Sequence, residues 1–164
     1  MKKALFLALA LASAPALAYD ANGVELGGTE AQVKARFPSI RCKPLEWKSD
    51  AADRRCDDAK IPFAGGVQAR ITFYLKNDAI QAFDLRFDMK DLERVSAFLK
   101  TRYGKPLAEA TEVISRPEKE DRKVYKARWE KGTDKAVLSA QLETKTATLE
   151  VQRGTFETEI YRVR

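Results

Sequence analysis

Apolar and polar residues alternate in two neighbouring stretches near the middle of the chain. In residues 67–75 the apolar side chains fall mostly on odd positions, with polar residues between them, and residues 83–87 repeat this pattern. A repeat of two residues is typical of a strand with one buried face. The two stretches therefore predict a pair of strands, each with one face in the core and one in solvent.

The chain turns between these strands at residues 77–78, where Asn-Asp stands. A plain two-residue loop would place Ile71 opposite Asp84 and so bring an acidic side chain onto the apolar face. A three-residue loop, or a two-residue turn followed by a bulge, pairs Phe73 with Phe83 and keeps one face apolar. The hairpin is predicted either way, and the choice between these two connections stays open.

The second strand leads directly into a predicted helix. Asp88 stands where an N-cap carboxylate would accept hydrogen bonds from the first turn, and Gly104 and Pro106 end the helix. Its apolar residues recur at steps of three and four and form one stripe: Leu92, Val95, Leu99 and Tyr103. A hairpin with one apolar face beside such a helix predicts an α+β packing in two layers.

A shorter helix is indicated earlier in the chain by a capping box at Thr29 and Gln32. After it, residues 42–47 predict an extended segment, and residues 48–66 are polar and punctuated by proline and glycine, which predicts irregular structure.

Beyond the central helix the pattern predicts strands again. Residues 107–114 predict one strand, residues 116–123 a solvated charged turn, and residues 125–151 an antiparallel meander of three half-buried strands. The tail, residues 156–164, fits either a final edge strand or a frayed end.

The predicted fold class is α+β, with two helix-plus-antiparallel-sheet units packed as two layers and one disulfide. The units are residues 24–87 and 88–152, and both belong to a single domain, residues 19–164.

Residues 1–18 have the basic start, short apolar run and small-residue cleavage site of a secretory signal peptide. The apolar run is too short for a membrane span, and no cysteine follows the cleavage site to carry a lipid. The mature protein is therefore expected in the periplasm or outside the cell, with neither a membrane span nor a lipid anchor.

The net charge of the whole chain is +6, and without Lys2 and Lys3 the remaining twenty-eight basic and twenty-four acidic residues give +4. Because both signs are interspersed, this mild bias is typical of solvated faces, and nucleic acid is not an expected partner.

The chain has two cysteines, Cys42 and Cys56. In an oxidising compartment they are expected to form one structural disulfide, because no Cys-x-x-Cys spacing tunes a reactive thiol. Closing a loop of this size stabilises a fold by about 3 kcal/mol in the chain-entropy model.

The residues at the start of the shorter helix also resemble a known group of proteins. They are Gly-Val-Glu-Leu-Gly at residues 23–27, Thr-Glu-Ala-Gln-Val at residues 29–33 and Phe37-Pro38, and we call them the helix entry. It is similar to the helix entry of small periplasmic α/β units related to the β-lactamase-inhibitor-protein and SmpA/OmlA outer-membrane assembly group. The resemblance implies a protein-binding module that uses its sheet face or loops. The chain departs from the assembly lipoproteins in lacking their lipid-bearing cysteine.

No histidine occurs in the chain, which excludes Ser-His-Asp and Cys-His catalysis and most zinc sites. No phosphate-binding loop or dinucleotide fingerprint is present, and no cofactor or metal is predicted. The acidic groups at residues 57–58 and 118–121 offer carboxylates for acid and base chemistry, but acids in lysine-rich turns are usually just solvated.

The candidate binding residues are Trp47, Arg54 and Arg55, which lie in the loop bounded by the two cysteines. Tryptophan and arginine often anchor protein interfaces, and a closed loop loses less entropy on binding. The alternative is structural: Trp47 packs into the core, and the arginines pair with Asp53 and Asp57.

The sequence thus predicts an exported, non-enzymatic binding module that contacts another envelope protein or acts as an inhibitor. One alternative is an amphiphile- or lipid-binding protein with a cavity lined by Phe73, Phe83 and Leu99. A less favoured alternative is a carboxylate-based hydrolase of cell-wall polymer.

Overall fold

The computed structural model describes residues 18–117 and 119–160. Most of the predicted signal peptide, residues 1–17, therefore lies outside the described residues. Within these described ranges, ten strands and three α-helices follow in chain order: β1 (Asp20–Ala21), β2 (Val24–Glu25), α1 (Glu30–Arg36), β3 (Arg41–Pro44), β4 (Arg54–Phe63), β5 (Val67–Lys76), β6 (Ala79–Asp88), α2 (Leu92–Tyr103), β7 (Ala108–Arg116), β8 (Lys119–Lys131), β9 (Asp134–Gln141), β10 (Thr146–Arg153) and α3 (Phe156–Glu159).

Eight of the strands form one antiparallel sheet in the order β3-β4-β5-β6-β10-β9-β8-β7, and β1 and β2 form a separate two-stranded sheet. Each run of four strands is a meander, and the two meanders join where β10 pairs with β6. The predicted α+β class is confirmed, as is the Cys42–Cys56 disulfide.

The hairpin of β5 and β6 adopts one of the two connections that the sequence left open. Asn77 and Asp78 have φ angles of 50° and 60°, which fits a two-residue turn of the type that suits the twist of a hairpin. A bulge between Tyr74 and Leu75 then shifts the register, so that Phe73 lies opposite Phe83. The bulge keeps the apolar residues of both strands on one face.

The predicted cap of α1 is confirmed, whereas the predicted cap of the central helix, Asp88, lies one turn before α2 begins. At α1 the Thr29 side chain accepts from the backbone N–H of Gln32, and the Gln32 side chain accepts from the backbone N–H of Thr29. Asp88 caps a single 3₁₀ turn, Met89–Asp91, and α2 begins only after that turn. The chain leaves α2 at Gly104, whose φ of 85° is costly for other residues.

The main core lies between α1, α2 and one face of the sheet. Phe37, after α1, contacts Phe73 with ring centroids 5.6 Å apart, and Phe98 of α2 contacts Phe63 at 5.5 Å. The largest fully buried side chains of this layer are Phe73, Phe83, Ile71, Leu75, Ile80, Leu85, Leu99, Leu138, Leu149, Val33, Val67 and Val95. We call this side of the sheet the core face.

The prediction of irregular structure for residues 48–66 is wrong for β4, which is a ten-residue strand. A bulge between Asp58 and Ile61 reverses which positions face the core, so the alternation of apolar residues is broken. Asp58 is buried, where its carboxylate accepts from Ser39 Oγ at 2.5 Å and from Lys60 N at 3.0 Å.

Two predictions in the C-terminal half also need correction. The charged turn predicted at residues 116–123 is shorter, because β8 already begins at Lys119 and pairs with β7 there. This extension is exposed on both faces, so it shows no alternation. The tail is neither a strand nor frayed at its start, since α3 buries Phe156 and Ile160, which are four residues apart. Residues 161–164 lie outside the described residues.

Candidate binding site on the open sheet face

The side of the sheet opposite α1 and α2 is polar and mostly accessible. Polar side chains alternate with core residues along β4 to β6 and β8 to β10, as strand geometry requires. We call this surface the open face; its central side chains are Arg55, Asp57, Arg70, Thr72, Tyr74, Asp84, Arg86, Lys126, Arg128, Val137, Ser139, Thr148, Glu150 and Gln152.

One end of the open face is covered by α3 and by the loop that carries Trp47. Trp47 Nε1 donates to the carbonyl oxygen of Ile160 at 2.8 Å, and Ser49 Oγ donates to that of Glu159 at 3.1 Å. The ring of Phe156 lies 5.3 Å from that of Tyr74, at the centre of a second, smaller hydrophobic cluster. The tail therefore packs onto the sheet through contacts with the loop.

The three predicted binding residues contact different parts of the molecule. Trp47 is half-buried in the second cluster, which agrees with the structural alternative for it. Arg54 donates to both carboxylate oxygens of Glu30, at 2.6 and 3.3 Å, and so pairs with α1 rather than with Asp53. The hydrogen bond from Arg54, together with that from Lys34, holds the pKa of Glu30 below its usual range.

Arg55 is the predicted binding residue that reaches the open face. Its Nε donates to Asp57 at 2.7 Å, as the structural alternative expected, and Asp57 also accepts from Thr72 Oγ1 at 2.9 Å. Arg55 and Asp57 line a pocket of about 210 Å³ that also includes Arg70 and Asp84. Of the three predicted residues, Arg55 alone lines this pocket.

The disulfide joins residues that lie directly opposite each other on β3 and β4. The carboxylate of Glu30 lies within 4.8 Å of both sulfur atoms, a grouping that resembles a set of metal ligands. Because the two sulfur atoms are bonded to each other, they are not available as thiolate ligands. Glu30 is moreover engaged by Arg54 and Lys34.

Two acidic side chains meet at the centre of the open face. Asp84 on β6 is paired directly with Glu150 on β10, and both line a pocket of about 180 Å³ beside Phe156. Burial, and to a lesser degree the charge of Glu150, raises the pKa of Asp84 to about 7, although nearby Arg86 opposes the shift. Burial and the charge of Glu157 raise the pKa of Glu150. Because Glu150 is exposed, solvent partly screens these interactions.

Two arginines meet in the neighbouring row of the sheet. Arg70 on β5 lies directly opposite Arg86 on β6, and both are exposed. Neither guanidinium group forms a hydrogen bond or an ion pair with any residue in the described part of the chain. The two arginines also line a pocket of about 580 Å³ with Lys60, Lys145 and Asp88.

Sequence reasoning did not single out these acidic and basic pairs. Their signal is present in the alternating stretches, because every polar position of a half-buried strand lies on the same face. What the sequence lacks is the order of the strands, which brings Glu150 from the end of the chain beside Asp84.

The acidic residues that the sequence singled out for acid and base chemistry do not lie together in one site. Asp57 lies on the open face, whereas Asp58 lies on the core face and is buried. Glu120 and Asp121 are exposed on β8, and Glu118 lies outside the described residues. The residues predicted to line a lipid cavity, Phe73, Phe83 and Leu99, are fully buried in the main core.

Across the described ranges, no helix has the length and apolar character that spanning a membrane requires. Comparison of the chain with protein-family models, with curated proteins and with solved structures gave no match. The resemblance of the helix entry to the β-lactamase-inhibitor-protein and SmpA/OmlA group therefore stays a prediction.

Proposed function

We propose that this chain is an exported binding module that recognises another envelope protein, or inhibits a target protein, through the open face. The observation that carries the proposal is the pairing of like charges at the centre of that face, Arg70 with Arg86 and Asp84 with Glu150. Like charges directly opposite each other on neighbouring strands destabilise a sheet. A partner with complementary charges would relieve this repulsion, and the same charges would attract and orient the partner.

The arrangement of the face supports this function. Arg86 and Asp84 are two residues apart on β6, so positive and negative rows lie side by side. Beside them the half-buried Tyr74 adds a partly accessible aromatic side chain, whereas Phe156 is buried in the second cluster. Interfaces commonly combine such an aromatic centre with charged groups that set orientation.

The architecture fits a tandem of two units, residues 24–87 and 88–152. In each range a helix precedes a meander of four strands, and the two meanders form one continuous sheet. The predicted signal peptide and the resemblance of the helix entry favour a periplasmic or secreted binding role.

Site-specific photocrosslinking in the source cells tests the proposal. Thr148 is the best position for the photoreactive residue, because it is neutral and lies directly beside Arg86 on the open face. Arg94, exposed on α2, is the matched control on the other side of the molecule. We expect a discrete protein adduct from position 148, lost when Arg70→Glu and Arg86→Glu are added. Identical adducts from both positions, or none from either, would contradict the proposal.

A second candidate function rests on the Asp84–Glu150 pair. One carboxyl group with a pKa of about 7 beside a second carboxylate in a pocket is the arrangement that glycoside hydrolases use for acid and base. The substrate class would be a cell-wall polysaccharide. Release of reducing sugar by the purified protein, abolished by Asp84→Asn and kept in Asp121→Asn, would favour this function over binding alone.

A further inference from the structure

The pocket of about 580 Å³ lies at the end of the open face away from α3, and most of the charged residues that line it are basic. It is bounded by side chains of β4, β5 and β6 and of the turn before β10. Four basic residues and one acidic residue are among those that line it, namely Lys60, Arg70, Arg86, Lys145 and Asp88, and we call it the basic pocket. Two neutral polar side chains, Gln68 and Thr146, also line it.

Two guanidinium groups dominate the basic pocket. Since Arg70 and Arg86 are directly paired across neighbouring strands, their Cβ atoms are about 4.5–5.5 Å apart. Their donors are not used by any described residue, and each guanidinium offers a planar fork that matches two oxygens of one anion.

The single acidic residue does not neutralise this charge. One carboxylate oxygen of Asp88 accepts from the backbone N–H of Lys90 at 3.0 Å, where it caps the turn before α2. The other lies 3.7 Å from Lys90 Nζ. Asp88 is thus held by its own neighbour. Asp57 and Asp84 line the adjoining pocket together with both arginines, but Asp57 is already engaged by Arg55 and Thr72. The basic pocket therefore keeps an excess of positive charge.

We propose that the basic pocket binds a phosphoryl group. A phosphate monoester carries about −1.5 to −2 charges and three acceptor oxygens, which matches two guanidinium forks with lysines beside them better than one carboxylate does. Gln68 and Thr146 supply neutral hydrogen-bonding groups at the rim. The two arginines of the basic pocket also belong to the proposed protein contact, but the phosphoryl site is tested with the purified chain and small probes, so it holds or fails whether or not a protein binds the open face.

The phosphoryl group has two possible sources, a soluble phosphate ester or a phospholipid headgroup. Inorganic pyrophosphate serves as the soluble probe. Phosphatidylcholine vesicles that contain phosphatidic acid, whose headgroup is a phosphate monoester, serve as the lipid probe and are compared with vesicles of phosphatidylcholine alone. Binding of pyrophosphate but not of phosphatidic acid vesicles identifies the soluble source. Binding of phosphatidic acid vesicles but not of pyrophosphate identifies the headgroup, and binding of both assigns the site to the phosphoryl group itself.

The variant Arg70→Gln/Arg86→Gln tests the site by calorimetry at about 0.15 M salt, where long-range attraction is screened. Because it removes two charge-assisted contacts, we expect affinity for whichever probe binds to fall by about tenfold or more. Arg94→Gln/Lys105→Gln removes the same charge from exposed positions elsewhere and should change affinity by less than about twofold.

Equal losses in the two variants, or binding of neither probe by the wild-type chain, would overturn the proposal. Circular dichroism first establishes that the arginine variant is folded. If it is not, Lys60→Gln/Lys145→Gln replaces it, because both lysines border the same pocket. That variant should weaken binding more than the Arg94→Gln/Lys105→Gln control, and an effect no greater than that of the control counts against the site.

Discussion

The core face and the open face are built from the same strands, yet different demands decide their residues. Along β5, Ile71, Phe73 and Leu75 are fully buried. On the opposite face Arg70 is exposed, and Thr72 and Tyr74 are half-buried. On the core face the side chains are mainly apolar and fill the interior, with the buried Asp58 as an exception. On the open face like charges lie opposite each other, although neutral residues at those positions would stabilise the sheet more.

The residues of the core face stabilise the fold, whereas the paired charges of the open face do not and must be explained by another role. A protein under selection for stability alone would not keep Asp84 and Glu150 opposite each other. Polar residues that cost stability are commonly found at functional sites. Mutations on the core face should therefore lower stability. Mutations of the paired charges on the open face should instead lower binding without lowering stability.

The largest effect is expected on the core face. Phe73→Ala removes a fully buried ring that contacts Phe37 and Phe83, at centroid distances of 5.6 and 5.7 Å. We expect a loss of about 3–5 kcal/mol in the free energy of unfolding, from lost transfer energy and the cavity that remains. The matched open-face substitution Thr148→Val should change it by less than about 0.5 kcal/mol. Urea denaturation measures both, and similar losses would contradict the contrast between the faces.

The next largest effect is expected from the disulfide, which ties the short edge strand β3 to β4. Replacing both Cys42 and Cys56 by serine should lower the free energy of unfolding by about 3 kcal/mol, since the unfolded chain regains the freedom of a loop with a sequence separation of 14. Urea denaturation with and without reductant makes the comparison. Reductant should destabilise the wild type and leave the double variant unchanged; a wild type insensitive to full reduction contradicts the expectation.

The core face could be predicted from the sequence and the open face only in part, for a physical reason. Burial imposes a period of two or of 3.6, and that period is visible in the stretches around Phe73, Phe83 and Leu99. Prediction from this period failed at β4, because a bulge moves the buried positions from even to odd numbers and the buried residue Asp58 is acidic.

The open face was visible only one strand at a time. Arg70, Asp84 and Glu150 are ordinary polar positions of three amphipathic strands, and nothing local says which of them become neighbours. The pairing of β6 with β10 depends on contacts between residues more than fifty positions apart. For Trp47, a composition typical of interfaces did not reveal that its ring packs beneath the tail.

A smaller and opposite effect is expected at Asp84. Because its folded-state pKa of about 7 exceeds the value of 3.8 for an unperturbed aspartate, its contribution to stability is fully present below about pH 4 and is lost as the pH rises through 7. Asp84→Asn keeps the neutral state at every pH. It should stabilise the protein by about 1–2 kcal/mol at pH 8, allowing for solvent screening, and by clearly less at pH 4.5.

Urea denaturation of Asp84→Asn at the two pH values provides that measurement. Asp121→Asn, at an exposed position of β8, removes one negative charge away from the open-face pair. It should change stability little at either pH. A gain for Asp84→Asn that is the same at both pH values would show that ionisation of Asp84 does not oppose folding.

The smallest effect is expected at Trp47, where the open face is covered rather than exposed. Trp47→Phe keeps an aromatic ring in the second cluster but removes the hydrogen bond from Nε1 to the carbonyl oxygen of Ile160. We expect a loss of about 1 kcal/mol that is local to α3, because the main core on the other face is untouched. Hydrogen exchange should quicken at the backbone amides of Thr158 and Ile160, which donate to Thr155 and Phe156, and stay unchanged in β5. Faster exchange in both regions would mean that the tail and the main core unfold together and that the two faces are not energetically separate.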